Sequence, residues 1–493
     1  MLRKVLLVMG GTLASRVLGL LRQAVFNALY PDALKDAFNV AYRVPNLLRE
    51  LLAEGAVQNA LIPLLKGLDP EEARAFARRF GAFLLGVNLL VLGLGYLLAP
   101  WVVGLLVAGE SHLREDLAQV VYLTRLLLPF LLGISMAALF SALLQAEERF
   151  LPYALGPVAF NLVAIGLMAL FPGDPTFLGL SVALGGLFQA LVQVPFLKGY
   201  TLEWRWHRAF APALLRMGPF AFTTSLRQFL NLVLTHILTR YPPAAVTGFY
   251  NAEVVFQMVL GLFATSPAIA LFPRMSALRG QELAHFLTGP LKRLILLFSL
   301  LGGMLVALAP FVVVVLFGLF GPLTPENRAY SAQVLQALGF AVLPWGVNTL
   351  LLRGLYALGR IREAVSASAV VFLTNTLGYW LLKDAGLFAL NLATALAGYL
   401  GLFLYLRLLG REGVGIPALP GFLLRAWLAG LPLALLGWVL RGLFPVATAG
   451  EALLPLFLGG VLGLGVFLLG ARLLGLPLRA LLARAPADGN RGA

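Results

Sequence analysis

The sequence predicts an all-α integral membrane protein with about 14 transmembrane helices. Two observations carry this prediction: the composition and the spacing of long apolar runs. Of the 493 residues, 60% are hydrophobic and 12% are charged, whereas a soluble domain averages about 25% charged residues. In lipid, an apolar run of spanning length satisfies its own backbone hydrogen bonds by forming a helix. The chain has no cysteine, so disulfides and thiolate metal sites are excluded.

Each expected helix corresponds to an apolar run that is long enough to cross a bilayer. The runs lie at residues 5–30, 36–65, 80–108, 119–144, 152–171, 177–197, 212–239, 247–273, 290–320, 331–358, 364–383, 386–408, 421–443 and 452–475. The connections between them are short, which leaves no room for a soluble domain.

The net charge is +15, and the lysine and arginine residues lie mainly in short loops between apolar runs. This arrangement indicates membrane orientation rather than nucleic-acid binding. With the amino terminus inside, lysine and arginine favour the inner loops by roughly four to one. We therefore expect a multi-pass protein with both termini in the cytoplasm.

A weak internal repeat predicts two six-helix lobes. ALIPLL at 60–65 is echoed by ALFPRM at 270–275, and Gln145-Ala146 with Arg149 is echoed by Tyr356-Ala357 with Arg360. Because six helices are an even number, the lobes share one orientation, and a central cavity is expected between them. The predicted divisions are an amino-terminal lobe at 1–210, a carboxy-terminal lobe at 211–410, two additional helices at 411–476 and a cytoplasmic tail at 477–493.

The first two helices carry ionisable side chains at membrane depth. These are Arg16, Arg22, Arg43, Arg49, Glu50 and Glu54. An ionised group at the bilayer centre costs at least about 2.5–3.5 kcal/mol, so these groups must face water, each other or a charged ligand. Internal ion pairs are one interpretation. Because the arginines outnumber the glutamates, we favour the binding of an anion.

The second helix aligns Asp36, Arg43, Glu50 and Glu54 along one face. Pro45 removes a backbone hydrogen bond and can kink the helix, which would bring Arg49 into the same space. The planar fork of arginine suits bidentate phosphate binding better than the point charge of lysine does.

The seventh helix offers a polar stripe of Arg227, Asn231 and Thr235, with Gln228 beside it. Such a stripe serves either interhelical hydrogen bonding or substrate contact. The glycine pair Gly302-Gly303 predicts close helix packing, since no phosphate-loop pattern surrounds it.

Enzyme chemistry has little support in the sequence. A membrane glycosyltransferase or phosphatase would need catalytic acids or histidines near a membrane surface, and the four histidines are not paired in sequence. No metal-ligand spacing and no nucleophile motif occurs. We predict neither a cofactor nor a metal site.

Three segments carry a family resemblance: SRVLGLLR at 15–22, DAFNVAYRVPNLLRE at 36–50 and AEGAVQNALIP at 53–63. They resemble the MurJ (MviN) lipid II flippases of the multidrug/oligosaccharidyl-lipid/polysaccharide exporter superfamily. Weaker echoes run through ALFPRMS at 270–276 and YALGRIRE at 356–363.

The resemblance implies a transporter of the bacterial cytoplasmic membrane that moves undecaprenyl-pyrophosphate-linked peptidoglycan precursor to the outer leaflet by alternating access. The family's cavity arginines correspond to Arg16, Arg22 and Arg49, and Asp36 and Glu54 match further motif positions. The last two helices would supply a groove for the lipid tail. Lipid II and membrane lipids are the expected partners of a monomer, and nucleic acid is not. The alternatives are a drug/cation antiporter, which would want an acidic cavity, or another lipid-linked oligosaccharide flippase of the superfamily.

The sequence departs from the family pattern in three ways. Glu50 replaces the second of two consecutive arginines, and Gln23 replaces an acid. The eighth helix begins Tyr250-Asn251-Ala252-Glu253 and lacks a cavity arginine, for which Arg227 is a candidate substitute and Glu253 a further position to consider. The positions that would bind sodium in some members are neutral, namely Thr235, Asn375 and Tyr379. We expect transport that does not depend strictly on sodium, because carboxylates usually help to hold a dehydrated cation.

Overall fold

The computed structural model describes residues 2–52, 67–147, 151–197 and 199–477, together with Leu61, Leu65 and Arg149. Over these residues the regular structure is helical, and no strand occurs among them. The α-helices are α1 Leu2–Leu29, α2 Asp32–Leu52, α3 Pro70–Leu106, α4 Leu117–Leu127, α5 Phe130–Ala146, α6 Leu151–Leu170, α7 Pro175–Leu191, α8 Phe210–Leu238, α9 Ala245–Leu260, α10 Ser266–Ser276, α11 Gly280–Phe317, α12 Pro325–Ala357, α13 Ile361–Leu381, α14 Leu387–Arg411, α15 Leu419–Gly430, α16 Pro432–Leu443 and α17 Ala449–Leu473.

Three pairs of these helices continue each other, so the described residues form fourteen long helical segments. Leu128 and Pro129 separate α4 from α5, and Leu431 separates α15 from α16, which begins at Pro432; in both places a proline removes a helical hydrogen bond. A π-helical turn at Gly261–Thr265 joins α9 to α10. The number and type of the predicted helices are thus confirmed.

Eleven of the fourteen segments are long and apolar enough to cross a membrane. The other three are α1, α2 and α8, the helices in which the sequence places Arg22, Arg43 and Arg227. The prediction of a multi-pass membrane protein is confirmed. Helix α3 begins at Pro70, about three turns before its predicted apolar run. The apolar run starts later than the helix because the first turns of the helix carry Arg74, Arg78 and Arg79.

Helix starts follow local capping rules. Asp174 accepts hydrogen bonds from the backbone nitrogens of Thr176 at 2.7 Å and Phe177 at 3.2 Å, and Pro175 occupies the first turn of α7. Thr448 and Glu451 form a capping box at the start of α17. These contacts satisfy backbone donors that a helix start leaves open.

One compact unit comprises Met1–Tyr250 and Leu316–Asn327. Within it, α1 packs on α6, and α5 and α6 both pack on α7. A Cβ at Gly133 of α5 would lie 2.2 Å from the backbone carbon of Gly186 of α7. Glycine is therefore required for this close approach of the two helices, which is typical of membrane helix packing.

The second compact unit comprises Asn251–Val315 and Arg328–Ala493. In this unit α11 packs closely on α12, since a Cβ at Gly302 would lie 2.6 Å from the carbonyl oxygen of Gly339. A Cβ at Gly303 would lie 2.5 Å from Cδ1 of Leu433 on α16. The prediction that the Gly302-Gly303 pair serves close helix packing is confirmed.

The two units do not coincide with the lobes predicted at 1–210 and 211–410. A compact unit reports which residues pack together, whereas a lobe was predicted from an internal repeat. The lobes and the additional pair of helices at 411–476 stay predictions.

Candidate functional site

Asp36 on α2 is fully buried and fixes the start of α9. Its carboxylate accepts hydrogen bonds from the backbone nitrogen of Ala244 at 2.9 Å, and from the backbone nitrogen and Oγ1 of Thr247 at 2.8 Å and 2.5 Å. The first N–H groups of a helix lack intrahelical partners and favour a negative charge. Asp36 therefore caps α9 from a different helix.

The backbone at this cap is strained. Ala244 has φ of 74°, a left-handed conformation that disfavours a residue with a Cβ. Its N–H nevertheless points at Asp36. Strain of this kind persists only where the surroundings hold it in place, and it concentrates at functional sites.

His112 and Asn39 also belong to the surroundings of this cap. Nε2 of His112 lies 3.6 Å from Oδ2 of Asp36. Nδ2 of Asn39 donates to Oγ1 of Thr247 at 3.2 Å. No sequence pattern pointed to His112, which lies far from α2 along the chain.

Arg43 on α2 binds Tyr250 at the start of α9. Its Nε donates to the phenol oxygen, and its guanidinium carbon lies 4.5 Å from the centroid of the ring. Arg43 is only 8% exposed. The buried charge is thus stabilised by a hydrogen bond and a cation–π contact within the protein.

Glu50, near the carboxyl end of α2, collects several polar contacts. It accepts a hydrogen bond from Nε2 of Gln228 on α8 and another from Nδ2 of Asn46 at 3.3 Å. Nη2 of Arg49 lies 3.7 Å from Oε1 of Glu50. The structure therefore brings the predicted Gln228 into contact with the charged face of α2.

The polar stripe predicted on the seventh helix lies on α8 of the structure, the helix that also carries Gln228. Oγ1 of Thr235 is buried and donates to the carbonyl oxygen of Asn231 at 2.9 Å, a contact within α8. Two predicted site residues, Glu54 and the side chain of Arg227, lie outside the described part of the structure.

Arg22 on α1 is placed differently from Arg43. Its guanidinium lies 5.4 Å from the ring centroid of Phe160 on α6 and interacts electrostatically with Tyr42 on α2. Its Nε is buried, and within the described residues it has no hydrogen-bond partner. Arg16, six residues earlier on α1, is half-buried. An arginine held by aromatic rings at membrane depth retains hydrogen-bonding capacity for an anion.

The neutral positions considered for sodium are hydrogen-bonded in the structure. Nδ2 of Asn375 donates to the Tyr379 hydroxyl at 3.4 Å, and that hydroxyl lies 2.6 Å from Oγ1 of Thr394. Among the described residues no group of three histidine, aspartate or glutamate side chains could hold a metal ion. Sodium independence stays a prediction.

Sequence reasoning missed four partners of the charged residues: His112, Phe160, Thr247 and Tyr250. Only Tyr250 had a signal, since it stands in the motif at which the sequence departs from the family pattern that it resembles. Phe160 is one of 34 phenylalanines, so the sequence alone could not single it out.

Comparison with known proteins gives consistent findings. The family model described as lipid II flippase MurJ matches residues 25–453. A probable lipid II flippase MurJ of Vibrio cholerae is 28% identical over 520 residues and covers 96% of this chain and 97% of its own. The lipid II flippase MurJ of Burkholderia cenocepacia is 28% identical over 445 residues, with coverage of 85% and 86%.

Solved structures show the same fold. Lipid II flippase MurJ in an inward closed conformation matches with a TM-score of 0.79 at 20% identity, over 97% of this chain and 100% of that one. An inward-facing multidrug resistance MATE transporter of the MOP superfamily matches with a TM-score of 0.58 at 13% identity, over 83% of this chain and 96% of that one.

Proposed function

The chain belongs to the lipid II flippase MurJ family, and from that premise we propose that it carries lipid II from the inner to the outer leaflet of the bacterial cytoplasmic membrane by alternating access. Membership of this family makes it a transporter and not an enzyme. The cargo combines a pyrophosphate, a sugar-peptide headgroup and a polyprenyl tail. The pyrophosphate requires cations at membrane depth, and α1 and α2 provide them.

The environment of Arg22 is the observation on which the proposal rests. An arginine that serves only as a structural ion pair would have an acidic partner, whereas among the described residues the guanidinium of Arg22 lies over the ring of Phe160. Its buried Nε has no hydrogen-bond partner among the described residues. A pyrophosphate oxygen would satisfy this donor, and a charge-assisted bond to phosphate is stronger than a neutral one.

Arg22 acts in this proposal together with Arg16 and Arg49, which match the same family motifs. Asp36, Arg43 and Gln228 have a structural role in this proposal. Each contacts another helix of the same compact unit and so helps to position α2. Glu54 and Arg227 enter the proposal on their sequence positions alone.

The test compares Arg22→Lys and Arg22→Ala with a matched control, Arg125→Lys. Arg125 also lies within a membrane-spanning segment, where its Nε donates to the carbonyl oxygen of Tyr96 at 3.1 Å, outside the proposed site. Lipid II binding, transport in proteoliposomes and thermal unfolding are measured on the same preparations. We expect Arg22→Lys to weaken lipid II binding about tenfold, because the fork geometry is lost, and Arg125→Lys to bind as the unmodified protein does.

Thermal stability separates the two interpretations of Arg22. Removing one partner of a buried ion pair destabilises a protein strongly. Removing a buried cation that serves a ligand leaves stability unchanged or raises it. We therefore expect Arg22→Ala to melt at or above the temperature of the unmodified protein while lipid II binding is lost. Normal binding and transport in Arg22→Ala would refute the binding of the pyrophosphate by Arg22.

The proposal includes the orientation of a monomer with both termini in the cytoplasm, which rests on the distribution of lysine and arginine. A reporter that is active only outside the membrane, fused after Ala493, should give no signal. A strong signal would refute this orientation.

A further inference from the structure

A second basic region lies apart from α1 and α2, in a pocket of about 140 Å³ at the start of α3. Its polar lining comprises Arg74 and Arg78 of α3, Glu147 and Arg149 after α5, and Tyr200 in the connection between α7 and α8. All of these residues belong to the first compact unit. We refer to this feature as the α3 pocket.

The ion pairs within the α3 pocket do not neutralise all of its positive charge. Glu147 is shared, with Oε1 at 3.1 Å from Nε of Arg74 and Oε2 at 3.9 Å from Nη1 of Arg149. Arg149 also donates to the carbonyl oxygen of Phe196. The described lining of the pocket thus contains three arginines and one carboxylate.

Arg78 is the third arginine of the α3 pocket, and Glu147 pairs with the other two. Its Nε is buried and lacks a hydrogen-bond partner among the residues that the structure describes. The neighbouring carboxylate of Glu203 accepts a hydrogen bond from Arg79 at 3.0 Å and interacts electrostatically with Arg78. A buried guanidinium nitrogen without a partner is costly unless a ligand supplies the acceptor.

The surroundings of the α3 pocket indicate its depth in the membrane. Trp204 and Trp206, in the connection that contains Tyr200, are 70% and 65% exposed. Exposed tryptophans of membrane proteins gather at the level of the lipid headgroups. The apolar run of α3 begins only after Arg78 and Arg79. The pocket therefore lies where the phosphate groups of lipids lie.

We propose that the α3 pocket binds the phosphodiester headgroup of an anionic phospholipid. The fork of Arg78 suits two phosphate oxygens, and basic pockets between membrane helices are suited to anionic headgroups. A zwitterionic lipid brings its own cation, which the excess positive charge disfavours. Because the site lies apart from Arg22 and Arg49, this inference is independent of the proposed transport of lipid II.

The test titrates the full-length protein in detergent with phosphatidylglycerol, with phosphatidylcholine of the same acyl chains, and with inorganic phosphate. Native mass spectrometry counts bound lipid, and thermal unfolding reports stabilisation by each probe. We expect phosphatidylglycerol to bind more tightly than phosphatidylcholine. Equal binding of the two lipids would overturn the proposal. Stabilisation by inorganic phosphate that equals that by phosphatidylglycerol would assign the site to free phosphate and overturn the lipid assignment.

Variants locate the lipid on the protein. Arg78→Gln should weaken phosphatidylglycerol binding about tenfold, the worth of one charge-assisted hydrogen bond. Arg205→Gln is the matched control, since it removes the same charge from the adjoining connection but does not line the pocket. Equal losses in both variants would overturn the site.

A second variant keeps the inference testable if Arg78→Gln does not fold. Glu147→Gln removes the only carboxylate that lines the described pocket, so it should tighten phosphatidylglycerol binding. Unchanged or weaker binding in Glu147→Gln would contradict the assignment.

Discussion

The predicted repeat pairs helix α2 with α9, and the two helices carry charge at different positions: Arg43 and Glu50 lie on α2, and Glu253 lies on α9. Asp36 and Thr247, which bind each other, are 211 residues apart, close to the spacing of the sequence echoes. Applying the same spacing to Arg43 and Glu50 of α2 gives Val254 and Gly261, both uncharged. The repeat that the sequence predicts therefore does not extend to the charged positions of α2.

The two helices also differ in regularity. Helix α2 remains α-helical through Pro45 as far as Leu52. The helix that starts with α9 changes to a π turn at Gly261–Thr265, beginning at the position that corresponds to Glu50. A π turn inside an α-helix commonly marks a functional position. Helix α2 therefore carries the charge of Glu50 at the position where the helix that starts with α9 has an irregular backbone turn.

The largest effect on this comparison is expected from Asp36→Ala. It leaves the backbone nitrogens of Ala244 and Thr247 buried without their acceptor, which should lower the free energy of unfolding by about 1–3 kcal/mol. Thermal unfolding in detergent measures the loss. Thr247→Ala is the control, since it keeps both backbone donors and should cost less. Equal melting of Asp36→Ala and the unmodified protein would show that the cap does not hold α9 in place.

A smaller effect is expected from the contact of Arg43 with Tyr250. Tyr250→Phe keeps the ring under the guanidinium but removes the hydroxyl that accepts from Nε, so it should cost about 1 kcal/mol. A double-mutant cycle with Arg43→Lys isolates the coupling between the two side chains. Additive losses in that cycle would indicate that the contact contributes nothing to joining α2 and α9.

The smallest effect on stability is expected at Glu203, which lies on neither α2 nor α9. It shows how much a single ion pair contributes outside the two compared helices. The hydrogen bond from Arg79 lowers the pKa of the Glu203 carboxyl below its usual value of 4.5. A lowered folded-state pKa adds stability above the unfolded-state pKa, and this stability is lost as the pH falls through the folded-state pKa. Glu203→Gln should therefore slightly reduce the drop in melting temperature between pH 7 and pH 3. Glu71→Gln, an exposed glutamate in the first turn of α3, is the control. An equal change in both variants would contradict a specific role of Arg79.

The sequence by itself determined the class of this protein and the location of its charges. Apolar runs longer than a bilayer is thick can only be helices, so the fourteen segments could be predicted from hydropathy and length. Arg22, Asp36 and Arg43 were identified because a charge at membrane depth is costly wherever it occurs.

Only the tertiary structure decided what each charge does. Asp36 caps α9 through donors more than 200 residues away, and Arg43 binds Tyr250 over a similar separation. Arg22 meets Phe160, an apolar residue that resembles many others in the sequence. A hydrogen bond or ring contact between distant helices leaves no periodicity in the chain, because it depends on how the helices pack rather than on the order of the residues along them. The sequence therefore located the ionised groups, and the packing of the helices decided which of them bind other side chains and which, like Arg22, keep a buried donor without a partner among the described residues.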